Sequence, residues 1–144
     1  FPAYTYCYNR PLLAQRVRDL LTVIRVTTLH PDVKSVQLVG LGEGGLVALL
    51  ARSVIDEGVG RCVVDLQGFG FTSIKAVTDP NLLPGALKYG GVGGLTLTAA
   101  EGDTSIYGVT DANQAELEVW KAVRPDALHT DSLTAGSLAD LLVK

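Results

Sequence analysis

The spacing of apolar residues along the chain predicts alternating helices and strands. Leu13, Val17 and Ile24 recur at helical spacing and predict a helix over residues 11–29. Short apolar runs further along predict buried strands at residues 33–39, 61–66, 95–100 and 127–130. Further helices are expected at residues 46–51, 111–123 and 136–143, and an irregular connection with a short strand near 74–77 fills residues 67–94.

This alternation predicts an α/β fold. We expect three layers, with a mostly parallel sheet of about four strands and helices on both faces. A helix precedes the first strand, as in the second half of a larger α/β domain. The chain starts at Phe1 and contains no Met, so residues 1–144 are expected to form one partial domain. An exposed edge of a central strand would then pair with the missing half or with another copy of the chain.

Composition excludes several classes of function. Apolar residues make up 47% and charged residues 19% of the 144 positions, which indicates a packed domain and excludes disorder. The net charge of −3 argues against binding to nucleic acid, and no apolar run approaches the roughly 18–20 residues that span a membrane. Cys7 and Cys62 could form one disulfide, but both lie among apolar or aromatic neighbours, which favours buried free thiols. We expect no metal site and no cofactor, since the chain has no Cys/His cluster.

The glycine-rich turn GLGEGG, between a strand and a helix, allows three interpretations. Gly40, Gly42 and Gly45 match the G-x-G-x-x-G pattern of dinucleotide sites, and Asp65 is placed to bind a ribose hydroxyl. The turn also fits a nucleophile elbow, G-x-S-x-G, with Gly40 and Gly44 as small flanks and Gly42 at the apex in place of Ser. The simplest interpretation is that the glycines only let a strand turn tightly into a helix.

The order of motifs favours the elbow. Residues 40–48, GLGEGGLVA, resemble the G-x-S-x-G-G-x-x-A turn of α/β-hydrolases, in particular the acetyl xylan esterase and dienelactone hydrolase-like families. Residues 9–21 are similar to the helix before the nucleophile strand, and residues 83–96 to the segment before the acid-bearing strand. The resemblance covers nearly the whole chain but only the carboxyl-terminal half of that fold. It allows a secreted or periplasmic location.

The resemblance also implies roles for individual residues. Gly42 takes the place of the nucleophilic Ser, the Glu43 N–H matches an oxyanion donor, Asp103 is the acid after the third strand and His129 the base near the last. Without the Ser, we expect a domain that lacks serine-hydrolase activity and is retained for structure or for binding a small-molecule or carbohydrate ester. Two alternatives stay open. One is a hydrolase in which Asp103 or Glu43 activates water with His129, and the other is a dinucleotide-binding module that uses Asp65.

Overall fold

The protein has an α/β fold built on a three-stranded parallel sheet. A computed structural model describes residues 9–55 and 57–142, so Cys7 lies outside the described residues. The strands stand in the order β1-β2-β3 and comprise β1 Val36–Gly40, β2 Val59–Asp65 and β3 Asp103–Tyr107. The α-helices are α1 Leu12–Thr28, α2 Glu43–Arg52, α3 Gly91–Thr96, α4 Glu118–Val123 and α5 Ala135–Leu142. Short 3-10 helices are found at Phe71–Ser73, Ala86–Tyr89, Leu97–Glu101, Gln114–Leu117 and Pro125–Ala127.

The first half of the chain follows the sequence pattern closely. Helix α1 buries Leu13 and Ile24, two members of its apolar stripe, and begins just after Pro11. Helix α2 begins at Glu43, earlier than the expected residue 46, so it starts directly after the turn. Strands β1 and β2 lie within one or two residues of the expected boundaries at most ends. The elements around the glycine-rich turn are therefore those that the sequence predicts.

The expected third strand at residues 95–100 is wrong, because these residues belong to α3 and the following 3-10 helix. A carboxylate oxygen of Glu116 accepts the Val92 N–H at 2.9 Å in the first turn of α3. The Thr96 hydroxyl donates to Val92 O at 2.7 Å and accepts the indole N–H of Trp120 at 3.1 Å. The bonds with Glu116 and Trp120 are tertiary, and they hold this apolar segment in helical form. The true third strand follows it, at Asp103–Tyr107.

The expected fourth strand at residues 127–130 is reduced to one bridge between Leu128 and Ile106. Pro125–Ala127 forms a 3-10 turn immediately before it, which leaves too few extended residues for a strand. The expected strand near residues 74–77 is also wrong, since these residues form no strand. The helix expected from residue 111 begins only at Gln114, as a 3-10 turn that continues into α4. The described sheet therefore has three strands rather than about four.

Helices contact both faces of the sheet. On one face Gly40 packs against Ala48 of α2, so that face of β1 is closed by the helix that follows the turn. Arg61 of β2 projects from the other face, because side chains alternate along a strand, and its guanidinium donates to the carbonyl of Leu141 in α5. The layer order is thus helix, sheet, helix. No helix of the described ranges is both long enough and apolar enough to cross a membrane.

The centre of the sheet is apolar and closely packed. Cys62 is a buried free cysteine in the middle of β2, next to the buried Val63 and Val64. Burial raises the pKa of the Cys62 thiol to about 12, while the nearby Arg52 lowers this pKa and Asp103 raises it by smaller amounts. The thiol is therefore protonated and unreactive in the folded protein at neutral pH.

Candidate functional site

Gly42 forms the apex of the bend between β1 and α2. Its backbone has φ +57° and ψ −130°, and the positive φ is a conformation that favours glycine. A Cβ atom built on Gly42 would meet only the side-chain amide of Gln67, with Oε1 at 3.8 Å and Nε2 at 4.0 Å. The apex therefore opens into free space, as the nucleophile position of a strand–turn–helix elbow does. It presents no side-chain atom there.

The two tightly packed flanks of the bend are Gly40 and Gly45. A Cβ on Gly40 would lie 2.6 Å from Ala48 Cβ and 2.6 Å from Gly44 O. A Cβ on Gly45 would overlap the carbonyl oxygen of Asp65 in β2. Gly44 is exposed and a Cβ there would meet nothing within 4 Å, so its expected role as a tight flank is wrong. Gly45 takes that role because it lies on the side of α2 that packs on β2.

A cleft of about 380 Å³ opens beside the apex. The glycine-rich turn and the residues after β2 form one side, and the irregular connection beyond them forms the other. The residues that give it chemical character are Gly42, Glu43, Gln67, Phe69, Ser73 and Asn81. Glu43 is the one charged residue among the described residues that line it. The cleft is thus lined by amide, hydroxyl and apolar groups and lies at the carboxyl-terminal end of the sheet, where α/β proteins bind ligands.

Two polar groups of this cleft have no partner within the described ranges. The Gly44 and Gly45 amides donate to Leu41 O and Gly42 O, at 2.9 and 3.0 Å, whereas the Glu43 N–H makes no hydrogen bond to a described residue. The Asn81 Oδ1 atom is buried and accepts no hydrogen bond from any described residue. Glu43 and Asn81 both line the cleft, but the Asn81 Oδ1 atom is itself buried and is not exposed to that space. A buried polar atom of this kind costs free energy until something pairs with it.

Gln67 shapes the cleft through its backbone. Its φ of +49° is the one positive φ of a non-glycine residue in the described ranges, and such strain clusters at functional sites. Asp65 holds this conformation, because its Oδ1 accepts the Gln67 N–H at 2.8 Å. Sequence reasoning missed Gln67, Phe69, Ser73 and Asn81, since they lie in the irregular connection. The position of Gln67 just past the end of a parallel strand was the available signal.

Asp65 is not presented to a ligand. Its side chain is buried, with the whole residue only 3% exposed. Besides Gln67, it binds the Leu133 N–H through Oδ2 at 2.9 Å. Both carboxylate oxygens therefore accept backbone amides and tie the loop after β2 to the segment before α5. The dinucleotide interpretation requires the Asp65 carboxylate to bind a ribose hydroxyl. In this structure the carboxylate binds two backbone amides instead.

Asp103 lies at the opposite end of the sheet from Gly42. It is the first residue of β3, whereas Gly42 follows the last residue of β1, and the strands are parallel. The expectation that Asp103 follows the third strand is wrong, since that strand begins at Asp103. Its Oδ2 accepts the Arg61 Nε–H at 2.7 Å, in register with β2. Asp103 thus forms an ion pair that joins two strands.

His129 occupies the place of the missing fourth strand. Its N–H donates to Ile106 O at 2.8 Å, and its ring stacks on that of Tyr107 with centroids 4.3 Å apart. This position is three strand spacings from β1, or about 14 Å. Gly42, Asp103 and His129 are therefore not brought together, and His129 does not line the described part of the cleft.

Comparisons with known protein families, curated proteins and solved structures found no match to this chain. Within residues 9–55 and 57–142, no group of three or more His, Cys, Asp and Glu side chains is placed to hold a metal ion.

Proposed function

We propose that this chain is the carboxyl-terminal half of an α/β-hydrolase-like domain, of the acetyl xylan esterase type, that does not hydrolyse esters and binds a ligand beside its elbow. The observation that carries the proposal is the apex at Gly42. The bend has the shape of an elbow and opens into a cleft, yet it offers no nucleophilic atom. The bend therefore has the geometry of an elbow beside the cleft, but it carries no side-chain atom that could act as a nucleophile.

The positions of the ionisable residues support binding over hydrolysis. A general base must lie within hydrogen-bond reach of the water or hydroxyl that it activates. Asp103 is engaged with Arg61 at the far end of the sheet, and His129 stacks on Tyr107. Glu43 is nearer the apex, but its side chain is exposed and lies 3.6 Å from the Arg16 guanidinium. The alternative in which Asp103 or Glu43 activates water with His129 therefore lacks a supporting geometry.

The lining of the cleft supports a neutral ligand with hydroxyl or ester groups. The Glu43 N–H makes no hydrogen bond to a described residue and can donate to an ester carbonyl, and Gln67 and Ser73 add amide and hydroxyl groups to the lining of the cleft. Phe69 adds an apolar surface, and no described Lys, Arg or His lines the cleft to attract an anion. A small-molecule or carbohydrate ester fits this set of groups.

Restoring the hydroxyl tests the proposal directly. Gly42→Ser places an Oγ at the apex, and Gly42→Ala introduces the same backbone strain without the hydroxyl. Hydrolysis of p-nitrophenyl acetate and labelling by a fluorophosphonate should stay at background for the wild type and for both variants, because no base reaches the apex. Ester hydrolysis by the wild type that His129→Ala abolishes would contradict the proposal and favour the alternative hydrolase.

Binding is tested separately with an acetylated xylo-oligosaccharide. This probe should raise the melting temperature of the wild type, and Asn81→Leu should reduce the shift by replacing an amide that lines the cleft with an apolar side chain. Val77→Leu is the matched control, since Val77 lies in the same connection, is exposed and does not line the cleft. An equal shift for the wild type and Asn81→Leu would place the oligosaccharide elsewhere.

A further inference from the structure

The chain makes a strained β-turn directly after β2. The turn is closed by the Phe69 N–H, which donates to Leu66 O at 2.8 Å, and its central residues both have positive φ, Gln67 at +49° and Gly68 at +75°. Asparagine, aspartate or glycine normally fill the first of two such positions. Asp65 holds the turn by accepting the Gln67 N–H. Glutamine is therefore an unfavourable residue for the backbone at position 67.

The side chain of Gln67 does not hold the turn in place. Gln67 is exposed, and its side-chain amide makes no hydrogen bond to a described residue. The bond that fixes the turn is made by the backbone N–H, which a glycine at this position would also supply. A strained residue whose side chain does not support the fold indicates a role other than stability.

The turn places the Gln67 amide in front of the bare apex at Gly42. Around a Cβ atom built on Gly42, the amide atoms Oε1 and Nε2 are the described heavy atoms within 4 Å outside the neighbouring residues. Gln67 and Gly42 both line the cleft. The amide therefore lies beside the space in which the nucleophile of an elbow would meet its substrate.

We propose that the side-chain amide of Gln67 binds the part of the ligand that lies beside Gly42, and that it thereby determines which ligands the cleft accepts. This inference rests on the proposed function, because it names the recognition residue of the same cleft. A carboxamide donates through its NH₂ group and accepts through its oxygen, so it can bind an ester carbonyl or a hydroxyl of a neutral ligand. The absence of a side chain at Gly42 leaves room for the amide and for the group that it binds.

Gln67→Gly separates recognition from stability, because glycine keeps the turn and removes the amide. Its melting temperature should equal or exceed that of the wild type, since a positive φ does not strain glycine. The acetylated xylo-oligosaccharide is the probe, and titration calorimetry gives its dissociation constant. This constant should rise about fivefold for each hydrogen bond that the amide makes. A residue that only supports the fold would give the opposite result, a lower melting temperature with unchanged affinity.

Gln114→Gly is the matched control. Gln114 is exposed, begins a 3-10 helix and does not line the cleft. Its replacement should lower the melting temperature, because glycine is unfavourable in a helical turn, and should leave the affinity for the probe unchanged. In ¹H–¹⁵N spectra, the side-chain NH₂ signals of Gln67 are identified by their loss in Gln67→Gly. They should shift when the probe is added, whereas those of Gln114 should not.

The same measurements distinguish failure of this inference from failure of the proposed function. If Gln67→Gly binds the probe with wild-type affinity, the inference is wrong and the proposed function stands. If the wild type itself does not bind the probe, either by calorimetry or by a shift in melting temperature, the proposed function fails and the inference fails with it.

Discussion

Replacing Gly45 by Ala tests how the elbow is held against the sheet. Gly45 lies in the first turn of α2, where the helix approaches the end of β2. The new Cβ would overlap the carbonyl oxygen of Asp65 and lie 2.9 Å from its carbonyl carbon. Both are backbone atoms, and the Asp65 side chain is itself fixed by two hydrogen bonds. The clash can therefore be relieved only by moving the helix.

The size of this overlap determines the expected loss of stability. Overpacking a close contact costs about 1–3 kcal/mol, and a backbone overlap belongs at the upper end, about 3 kcal/mol. For a chain of this length about 1 kcal/mol corresponds to about 3 °C in melting temperature, so Gly45→Ala should melt about 9 °C lower. Gly44→Ala meets no atom within 4 Å, and replacing a helical glycine by alanine gains up to about 1 kcal/mol. It should melt about 3 °C higher.

Urea and thermal unfolding, followed by circular dichroism and by fluorescence of the single tryptophan, give both values. The two variants differ by one position and carry the same side chain, so propensity alone would move them in the same direction. Opposite shifts would support the packing of α2 described above. If Gly45→Ala melted with or above the wild type, the close contact between α2 and β2 would be refuted.

Four further predictions concern Glu116, Asp65, NAD binding and Trp120. Burial works to raise the pKa of Glu116, but hydrogen bonds from the Thr72, Val92 and Phe71 amides outweigh it and hold this pKa below its ordinary value. The resulting stabilisation is present above the unfolded pKa and is lost as the pH falls through the folded pKa, so Glu116→Gln should flatten the loss of stability below about pH 4.3. Asp65→Asn should lower the free energy of unfolding by about 1–3 kcal/mol, because an NH₂ group then faces a backbone N–H. Millimolar NAD should not stabilise the wild type, and a shift that Asp65→Asn removes would favour the dinucleotide alternative. Trp120→Phe should cost about 1–2 kcal/mol through the lost bond to Thr96, and unchanged urea unfolding would contradict this.

The first half of the fold could be predicted because its signals are local. Helix α1 has a regular apolar stripe, and β1, the glycine-rich turn and α2 follow one another within a few residues. The third strand could not be predicted in the same way. Residues 95–100 have the composition of a strand, but Glu116 and Trp120 form hydrogen bonds with residues of α3 that lie 24 positions earlier in the chain. No local pattern records such contacts.

This misplaced strand also explains the error at the candidate site. Because residues 95–100 are helical, Asp103 begins β3 instead of following a strand. It therefore lies at the end of the sheet opposite Gly42. The apex at Gly42 was predictable because the turn pattern and its geometry are both local. The rest of the cleft comes from the irregular connection after β2, which long-range hydrogen bonds hold in place: the Gly68 N–H donates to Gly108 O and the Thr72 N–H to Glu116.

Alkylation of Cys62 can report how often the sheet opens. A thiol in the middle of β2 that is buried and protonated reacts with an alkylating reagent only while the surrounding strands are parted. The rate of alkylation therefore follows the fraction of molecules in which the sheet is open, and it does so in the native protein without denaturant. In a Cys7→Ser background, a ligand that binds only the closed sheet should slow that reaction by a factor that grows with its concentration relative to its Kd.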